Sequence, residues 1–152
     1  MASLCEGVGC EAIDLSCCKN LESLPDSIGE YKSLTLLNLS GAWNVPMALR
    51  SLPDSIGDLK ALTKLDLYKC ISLVSLPERI GDLTSLAELD LRGCESLVSL
   101  PERLGECESL TTLTLFDCTS LVSLPTSFGE LKNLTDFDLG YCKKLDLGLI
   151  FD

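Results

Sequence analysis

Histidine is absent from the sequence, and aromatic residues are scarce. The 152 residues include no histidine, and only 5% are phenylalanine, tryptophan or tyrosine. Histidine is the commonest general acid and base in enzymes and a frequent zinc ligand. No CxxC pair is present to replace it in a metal site. We therefore expect no catalytic residues, no cofactor and no metal.

Basic residues are few, and long apolar runs are missing. The chain has 12 basic against 23 acidic residues, a net charge of −11, which disfavours nucleic acid or an anionic membrane as partner. No run of 18 apolar residues occurs, and the N-terminus has no positive segment followed by an apolar one. We expect a chain without a membrane span whose partner is a protein with a basic surface.

What the sequence does contain is one unit repeated along almost its whole length. LTKLDLYKC at Leu62–Cys70 recurs every 24 residues, as LAELDLRGC, LTTLTLFDC and LTDFDLGYC. The element SLP keeps the same spacing, except for one step of 28 residues, and it ends at Pro25, Pro53, Pro77, Pro101 and Pro125. A fixed period of this length is typical of a solenoid.

The two halves of the unit have different patterns. Leu65 and Leu67 alternate with polar residues, which predicts a short strand with one face buried. Pro77 suits the start of a helical turn, and the acidic Glu78 follows it. Glycine comes four residues after each such proline, and we expect it to adopt the left-handed conformation that ends a helix. These glycines are Gly29, Gly57, Gly81, Gly105 and Gly129.

Stacking these units predicts an α/β solenoid of about five to six repeats. The strands form a parallel sheet on the concave face, the short helical or 3-10 turns lie on the convex face, and the leucines fill one continuous core. We expect residues 1–152 to form a single domain with partial repeats at both ends and a four-residue insertion near residues 42–48.

The motif LxxLxL followed by SLP resembles the leucine-rich repeat. The form with cysteine where many families have asparagine, continued as CxxLxxLPxxIGxLxxL, is similar to the repeats of plant intracellular disease-resistance proteins of the TIR, nucleotide-binding, leucine-rich-repeat class. The match covers about residues 10 to 147, and no GxxxxGK[ST] phosphate loop is present. The resemblance implies recognition of a protein partner on the concave face, in the cytoplasm.

Nine cysteines invite a disulfide interpretation, but most of them share one column of the repeat. That column contains Cys18, Cys70, Cys94, Cys118 and Cys142. Side chains on adjacent repeats are parallel, which keeps the Cβ atoms of neighbouring cysteines ~5 Å apart instead of the ~3.8 Å of a disulfide. We expect reduced, buried thiols. Cys10 and Cys107 replace core leucines, whereas Cys5 and Cys17 fall at positions expected to meet solvent.

The remaining route to catalysis is a pair of carboxylates. Asp14, Asp66, Asp90 and Asp138 share the column between the two strand leucines, with Asn38 and Thr114 in the gaps. Adjacent carboxylates can raise one pKa or hold a cation. A solvated surface that faces a partner is the more common role of such a column, so we interpret it as part of a binding face.

The variable positions beside the strands are the candidate contact residues. Tyr68, Arg92 and Phe116 occupy the same position in three successive repeats, that is, three successive rungs of one column. The guanidinium there has room to stack between the two rings. The alternative is that Phe116 folds under a loop as a satellite of the core. The predicted partner-binding residues are Tyr68, Arg92, Phe116, Tyr141, Lys64, Asp66, Asp90 and Trp43.

The insertion and the chain ends leave alternatives open. The insertion carries the only tryptophan, Trp43, which either contacts a partner or covers the gap that the insertion makes. Neither end has a recognisable polar cap, so the chain is either an excerpt of a longer array or one whose ends pair with identical chains. We expect Leu149, Ile150 and Phe151 to shield the C-terminal end or meet a second copy.

Together these features predict a non-catalytic protein-interaction module that binds through its concave sheet. The alternatives are a standalone or self-associating scaffold and, less favoured, an enzyme or cation site based on carboxylates. On location, secretion is the rival of the cytoplasm, but plant extracellular repeats usually carry GxIP where this chain has SLP.

Overall fold

The computed structural model describes residues 9–148. Six three-residue strands form one parallel sheet in sequence order. Paired strands place Leu37, Leu65, Leu89 and Leu113 side by side, which confirms the register predicted from the repeat. The strands are β1 (Ala12–Asp14), β2 (Leu36–Asn38), β3 (Lys64–Asp66), β4 (Glu88–Asp90), β5 (Thr112–Thr114) and β6 (Asp136–Asp138).

One continuous leucine core runs through the stack. The middle residue of each strand from β1 to β5 is buried, as are Leu39, Leu67, Leu91 and Leu115 just after the strands. The flanking strand residues are at least partly exposed. The alternation predicted for a strand with one buried face is therefore confirmed, because the outward side chains meet solvent while the inward ones stack between repeats.

A five-residue 3-10 helix forms the convex side of each repeat. Each proline is the residue just before the helix, and its carbonyl accepts the first helical N–H, as between Pro25 and Ile28 at 3.1 Å. The acidic residue after the proline also bonds the next repeat: Glu78 Oε2 accepts the Arg103 N–H at 3.0 Å. The helices are Asp26–Glu30, Asp54–Asp58, Glu78–Asp82, Glu102–Glu106 and Thr126–Glu130.

The convex glycines have a different role from the one predicted. None of Gly29, Gly57, Gly81, Gly105 and Gly129 has a positive φ, so the expectation that they end a helix in the left-handed conformation was wrong. Each of the first four packs against the next repeat, where a Cβ would collide with a backbone carbonyl oxygen. Glycine is needed there because the neighbouring repeat lies so close.

The left-handed conformation occurs instead at the residue directly before each cysteine of the column, beside the sheet. Lys69, Asp117 and Tyr141 have φ of 57°, 64° and 60°, and Gly93 has φ of 71°. The backbone N–H groups of Lys69 and Asp117 donate to carbonyls of the next repeat, as from Asp117 to the Gly140 carbonyl at 2.8 Å. This turn reverses the chain at the end of the strand and directs the following cysteine into the core.

The insertion forms a small closed loop after β2. Ala42 and Val45 exchange two backbone hydrogen bonds of 2.8 and 3.0 Å, which places Trp43 at the tip. Trp43 is 84% exposed, whereas Met47 is fully buried in the core beneath the loop. Met47 is the buried side chain of the insertion, so the alternative in which Trp43 covers the gap was wrong.

The column of cysteines is built as predicted. Cys70, Cys94 and Cys118 are fully buried, whereas Cys18 and Cys142, in the first and last repeats of the column, are only partly buried. Each thiol donates to a carbonyl of the repeat before it, as from Cys94 Sγ to Leu67 O at 3.3 Å. Among the others, Cys10 and Cys107 are buried and Cys17 is exposed, as expected, and Cys5 lies outside the described residues.

Candidate functional site

The carboxylate column lies on the concave face in the predicted order. Pairing between strands aligns Asn38, Asp66, Asp90, Thr114 and Asp138. Each Asp or Asn of the column accepts the backbone N–H of the residue two positions later. These short loops fix the end of each strand, so one oxygen of every carboxylate is committed to the turn.

Asp66 is the carboxylate of this column with a raised pKa. Burial beneath the neighbouring side chains raises its pKa, the hydrogen bond from the Tyr68 N–H opposes this, and the charge of Asp90 raises it further. Asp90, its predicted partner in a carboxylate pair, is instead paired with Arg92. Asp66 thus accepts a backbone N–H and Asp90 binds a guanidinium. This arrangement fits a binding surface better than a catalytic pair of carboxylates.

Arg92 is clamped between a carboxylate and a ring. Its Nε lies 3.0 Å from both oxygens of Asp90 and its Nη2 lies 2.6 Å from Oδ2, while its Cζ lies 5.3 Å from the centre of the Tyr68 ring. The bidentate pair and the cation–π contact hold the guanidinium in one orientation. The prediction that it stacks between two rings was wrong, because Phe116 pairs with a different residue.

Phe116 and Tyr141 form an exposed aromatic pair on the next two rungs. Their ring centroids are 5.1 Å apart with an interplanar angle of 63°, an edge-to-face arrangement. Phe116 is 38% exposed and Tyr141 is 67% exposed, so neither ring is buried in the core. The alternative in which Phe116 serves as a buried satellite of the core was therefore wrong.

Lys69 connects the insertion loop to this row of side chains. Its Nζ lies 5.4 Å from the Trp43 ring centre, 3.2 Å from Glu95 Oε1 and 3.6 Å from Asp117 Oδ2. The lysine thereby holds the exposed tryptophan beside β3. Among the other predicted residues, Lys64 pairs with Glu88 at 3.1 Å on the concave face.

Five of the eight predicted contact residues fall into one row at the carboxyl ends of the strands. We call Trp43, Tyr68, Arg92, Phe116 and Tyr141 the aromatic edge. Lys64, Asp66 and Asp90 lie beside it on the sheet surface. Sequence reasoning missed Lys69, which joins Trp43 to the row, although its place directly after Tyr68 in the repeat marked it as a neighbour.

Sequence reasoning also missed a second exposed apolar row between the strands and the convex helices. Val74, Val98 and Val122 are all exposed, and their backbones bond in series, as from Val98 N–H to Val74 O at 3.2 Å. The repeated SLVSLP contains the signal, because it puts a valine between two core leucines.

The described residues lack two features that other kinds of site would need. Residues 9–148 contain no group of three or more His, Cys, Asp or Glu side chains placed to hold a metal ion. Within the same residues there is no helix of the length and apolar character needed to cross a membrane.

Solved structures of similar architecture identify the fold. The leucine-rich-repeat domain of the type III effector XopL matches with a TM-score of 0.66 at 29% identity, over 76% of this chain and 38% of that one. The fold is a leucine-rich-repeat solenoid. The Arabidopsis receptor kinase HAESA, solved with the peptide hormone IDA and the co-receptor SERK1, matches this solenoid with a TM-score of 0.59 at 27% identity, over 88% of this chain and 23% of that one.

The ectodomain of the receptor kinase SOBIR1 from Arabidopsis thaliana shares the fold of this leucine-rich-repeat solenoid. It gives a TM-score of 0.65 at 22% identity over 88% of this chain and 71% of that one. The chain spans less than half the length of the XopL domain and of HAESA. No family model and no curated protein matches the sequence.

Proposed function

We propose that this leucine-rich-repeat solenoid is a non-catalytic module that binds a protein or peptide partner along its concave face. The aromatic edge is the anchor of that surface. Tryptophan, tyrosine and arginine are the residue types that contribute most to binding energy at protein interfaces. Here they lie in one row, in which Tyr68 is partly buried and the others are exposed, and each contacts a neighbouring side chain.

The observation that carries the proposal is this combination of exposure and order. Trp43 is 84% exposed but contacts the Lys69 ammonium. The exposed Arg92 guanidinium pairs with Asp90 and lies over the Tyr68 ring. Side chains ordered before binding lose less conformational entropy when a partner arrives. HAESA, a protein of the same fold, is solved with a bound peptide hormone, which supports a peptide or protein as the ligand class here.

The finer part of the proposal is a sensing role like that of the leucine-rich-repeat region of intracellular immune receptors, in the cytoplasm. The sequence resemblance supports that role in innate immunity and plant defence. The column of buried thiols supports the location, because free thiols persist in a reducing compartment. The net charge of −11 supports a partner with a basic surface.

The test is affinity capture from lysate of the source cells, read by mass spectrometry, with a triple variant of the aromatic edge. Tyr68→Ala, Arg92→Ala and Phe116→Ala are combined, and a triple alanine variant of the exposed convex residues Glu30, Lys32 and Lys132 serves as the matched control. We expect a partner that binds the parent and the control but not the edge variant. Equal capture by all three proteins would refute the assignment of this surface.

Self-association is a second candidate function, and the last described repeat favours it. Phe137 on β6 is 41% exposed, whereas the matching leucines Leu65, Leu89 and Leu113 are buried. An apolar groove of about 800 Å³ lies beside it, lined in part by Phe128 and Leu147. A Cβ on Gly129 would meet nothing within 4 Å, unlike its four equivalents. We propose that a second copy of the chain covers this face.

Sedimentation velocity over a range of protein concentrations tests self-association. We expect the sedimentation coefficient to rise with concentration for the parent and to stay constant for Phe137→Ser. Phe116→Ser, an equally polar change on the aromatic edge, serves as the control and should associate like the parent. A parent coefficient that does not change with concentration would exclude this function. The predicted contacts of Leu149, Ile150 and Phe151 lie outside the described residues.

A further inference from the structure

The Arg92 clamp is a recognition site for arginine that the chain fills with its own side chain. Asp90 on β4 supplies the carboxylate, and Tyr68, which follows β3, supplies the ring. The site therefore needs two groups. One is a carboxylate within a strand, and the other is an aromatic residue of the preceding repeat, two positions after the residue equivalent to that carboxylate. The guanidinium comes from the residue two positions after the carboxylate.

The same two groups recur two rungs later without the arginine. Asp138 on β6 occupies the column of Asp90, and Phe116 occupies the column of Tyr68 on the preceding rung. Asp138 Oδ1 accepts the Gly140 N–H at 2.8 Å, as Asp90 Oδ1 accepts the Arg92 N–H at 3.0 Å. The position equivalent to Arg92 is Gly140, which has no side chain that could pair with Asp138.

Phe116 is seated directly on this glycine. An ideal Cβ at Gly140 would lie 2.7 Å from Phe116 Cδ2, so the ring packs where a side chain would begin. Tyr141 packs against the same ring, edge to face, with the ring centroids 5.1 Å apart. The result is a fixed aromatic wall next to an exposed carboxylate.

No other rung among residues 9–148 combines the two groups in this way without its own arginine. Asp66 follows a rung that carries Ser40, Asn38 is uncharged, and β5 carries Thr114 at the carboxylate position. Within the same residues, no lysine or arginine forms an ion pair with Asp138. The second oxygen of Asp138 is therefore available to an outside cation.

We propose that Asp138, Phe116 and Tyr141 form a binding site for an arginine side chain of the partner. The carboxylate pairs with the guanidinium, and the aromatic pair stacks against its flat face, as Asp90 and Tyr68 do for Arg92. The inference rests on the proposed function, because it names the chemistry by which a basic partner is held on the concave edge. A planar guanidinium can pair with the carboxylate through two N–H groups while its flat face stacks on the rings, whereas an ammonium is a compact point charge without such a face.

The test uses acetyl-Gly-Arg-Gly-amide as probe, with the citrulline peptide of the same shape and no charge as its control. Binding is followed by the amide resonance of Gly140 in two-dimensional NMR spectra of the full chain. We expect the arginine peptide to shift the Gly140 signal in a saturable way and the citrulline peptide to leave it unchanged. Equal shifts with both peptides, or no shift with either, would overturn the site.

Asp138→Asn and Asp14→Asn form a matched pair of variants. Both variants keep an oxygen that accepts the turn N–H, and both remove one exposed charge from the same column. They differ because Asp14 lies on the first described strand, β1, so no described repeat before it supplies an aromatic ring. We expect Asp138→Asn to weaken the arginine peptide about fivefold and Asp14→Asn to leave its affinity unchanged. Equal weakening would mean a general attraction to negative charge and would overturn the proposal.

This experiment also separates the inference from the proposed function. Loss of captured protein in the aromatic-edge variant together with an unchanged Gly140 signal would retain the interaction surface and overturn the arginine site. A saturable Gly140 shift together with equal capture by parent and edge variant would retain the arginine site and refute the proposed function.

Discussion

Gly105 lies so close to Ser127 of the following repeat that an ideal Cβ on the glycine would be 2.6 Å from the serine carbonyl oxygen. A backbone oxygen cannot rotate away as a side chain can, so the contact fixes the spacing of the two convex helices. Gly29 and Gly57 make the same approach to Ser55 and Arg79, at 2.7 Å in both cases.

The first prediction concerns this approach. Gly105→Ala should lower the free energy of unfolding by about 2 kcal/mol, because the methyl group forces two repeats apart. Gly129→Ala is the control, since it occupies the same position in the last described repeat, where a Cβ meets nothing within 4 Å. Its stability should change by less than about 0.5 kcal/mol. Chemical unfolding of both variants measures the difference, and equal losses would contradict the packing argument.

The second prediction concerns two aspartates of the carboxylate column whose pKa values shift in opposite directions. Burial raises the pKa of Asp66, so the folded state holds this proton more tightly than the unfolded state and loses stability as pH rises through the raised value. Asp66→Asn keeps an oxygen that can accept the Tyr68 N–H, as Asn38 does for Ser40. We expect Asp66→Asn to stabilise the fold at pH 7.

Asp14→Asn provides the comparison of opposite sign. Hydrogen bonds from Ser16, first through its side chain and then through its backbone, lower the pKa of Asp14. Its stabilising contribution is complete above the unfolded pKa and disappears as pH falls through the folded value. Asp14→Asn should therefore destabilise at pH 7 and have a smaller effect near pH 2. Melting temperatures across this pH range would refute the assignment if both variants changed stability in the same direction.

The third prediction concerns the reactivity of the thiols. Burial raises the pKa values of Cys70, Cys107 and Cys118 to about 12, so these groups carry almost no thiolate at neutral pH. In the native protein Cys17 should react quickly with a chromogenic disulfide reagent, and the buried thiols should react only as the fold opens. In denaturant all nine should react, and detection of fewer than about seven would contradict the reduced state.

The fourth prediction concerns an ion-pair network on the convex face. Asp82 accepts from Arg79 Nε at 2.9 Å and from Arg103 Nη2 at 2.5 Å, and so connects consecutive repeats. Asp82→Asn should cost about 1 kcal/mol at low salt and less at 1 M salt, because exposed charges are screened. Glu88→Gln, which breaks the single pair with Lys64, is the control and should cost less. Equal losses would mean that the network adds nothing beyond isolated pairs.

The strands, the core and the cysteine column were predictable because each depends on a local pattern that repeats. Leu65 and Leu89 are separated by one period and must therefore occupy equivalent places. The role of Gly105 was not predictable in the same way. Glycine permits both a positive φ and close packing, and the choice between them depends on how near the next repeat lies.

The side-chain partners at the candidate site were less predictable. The sequence placed Tyr68, Arg92 and Phe116 on adjacent rungs but did not determine which ring Arg92 contacts. That choice depends on Asp90, which binds the guanidinium from within its own rung, and on Tyr141, whose left-handed backbone brings its ring to Phe116. Competition between nearby partners is settled by distances in space, which residue spacing does not contain.

By itself the sequence determined the architecture of this protein, since a fixed period of leucines can bury its apolar surface only by stacking. It also determined which columns face outward and the acidic character of the chain. Only the tertiary structure decided which outward residues are ordered, that Trp43 is exposed while Met47 fills the core, and that Asp138 lies beside a ring without an arginine of its own. The physical reason is that core positions follow from burial alone, whereas surface contacts depend on the relative placement of neighbouring repeats.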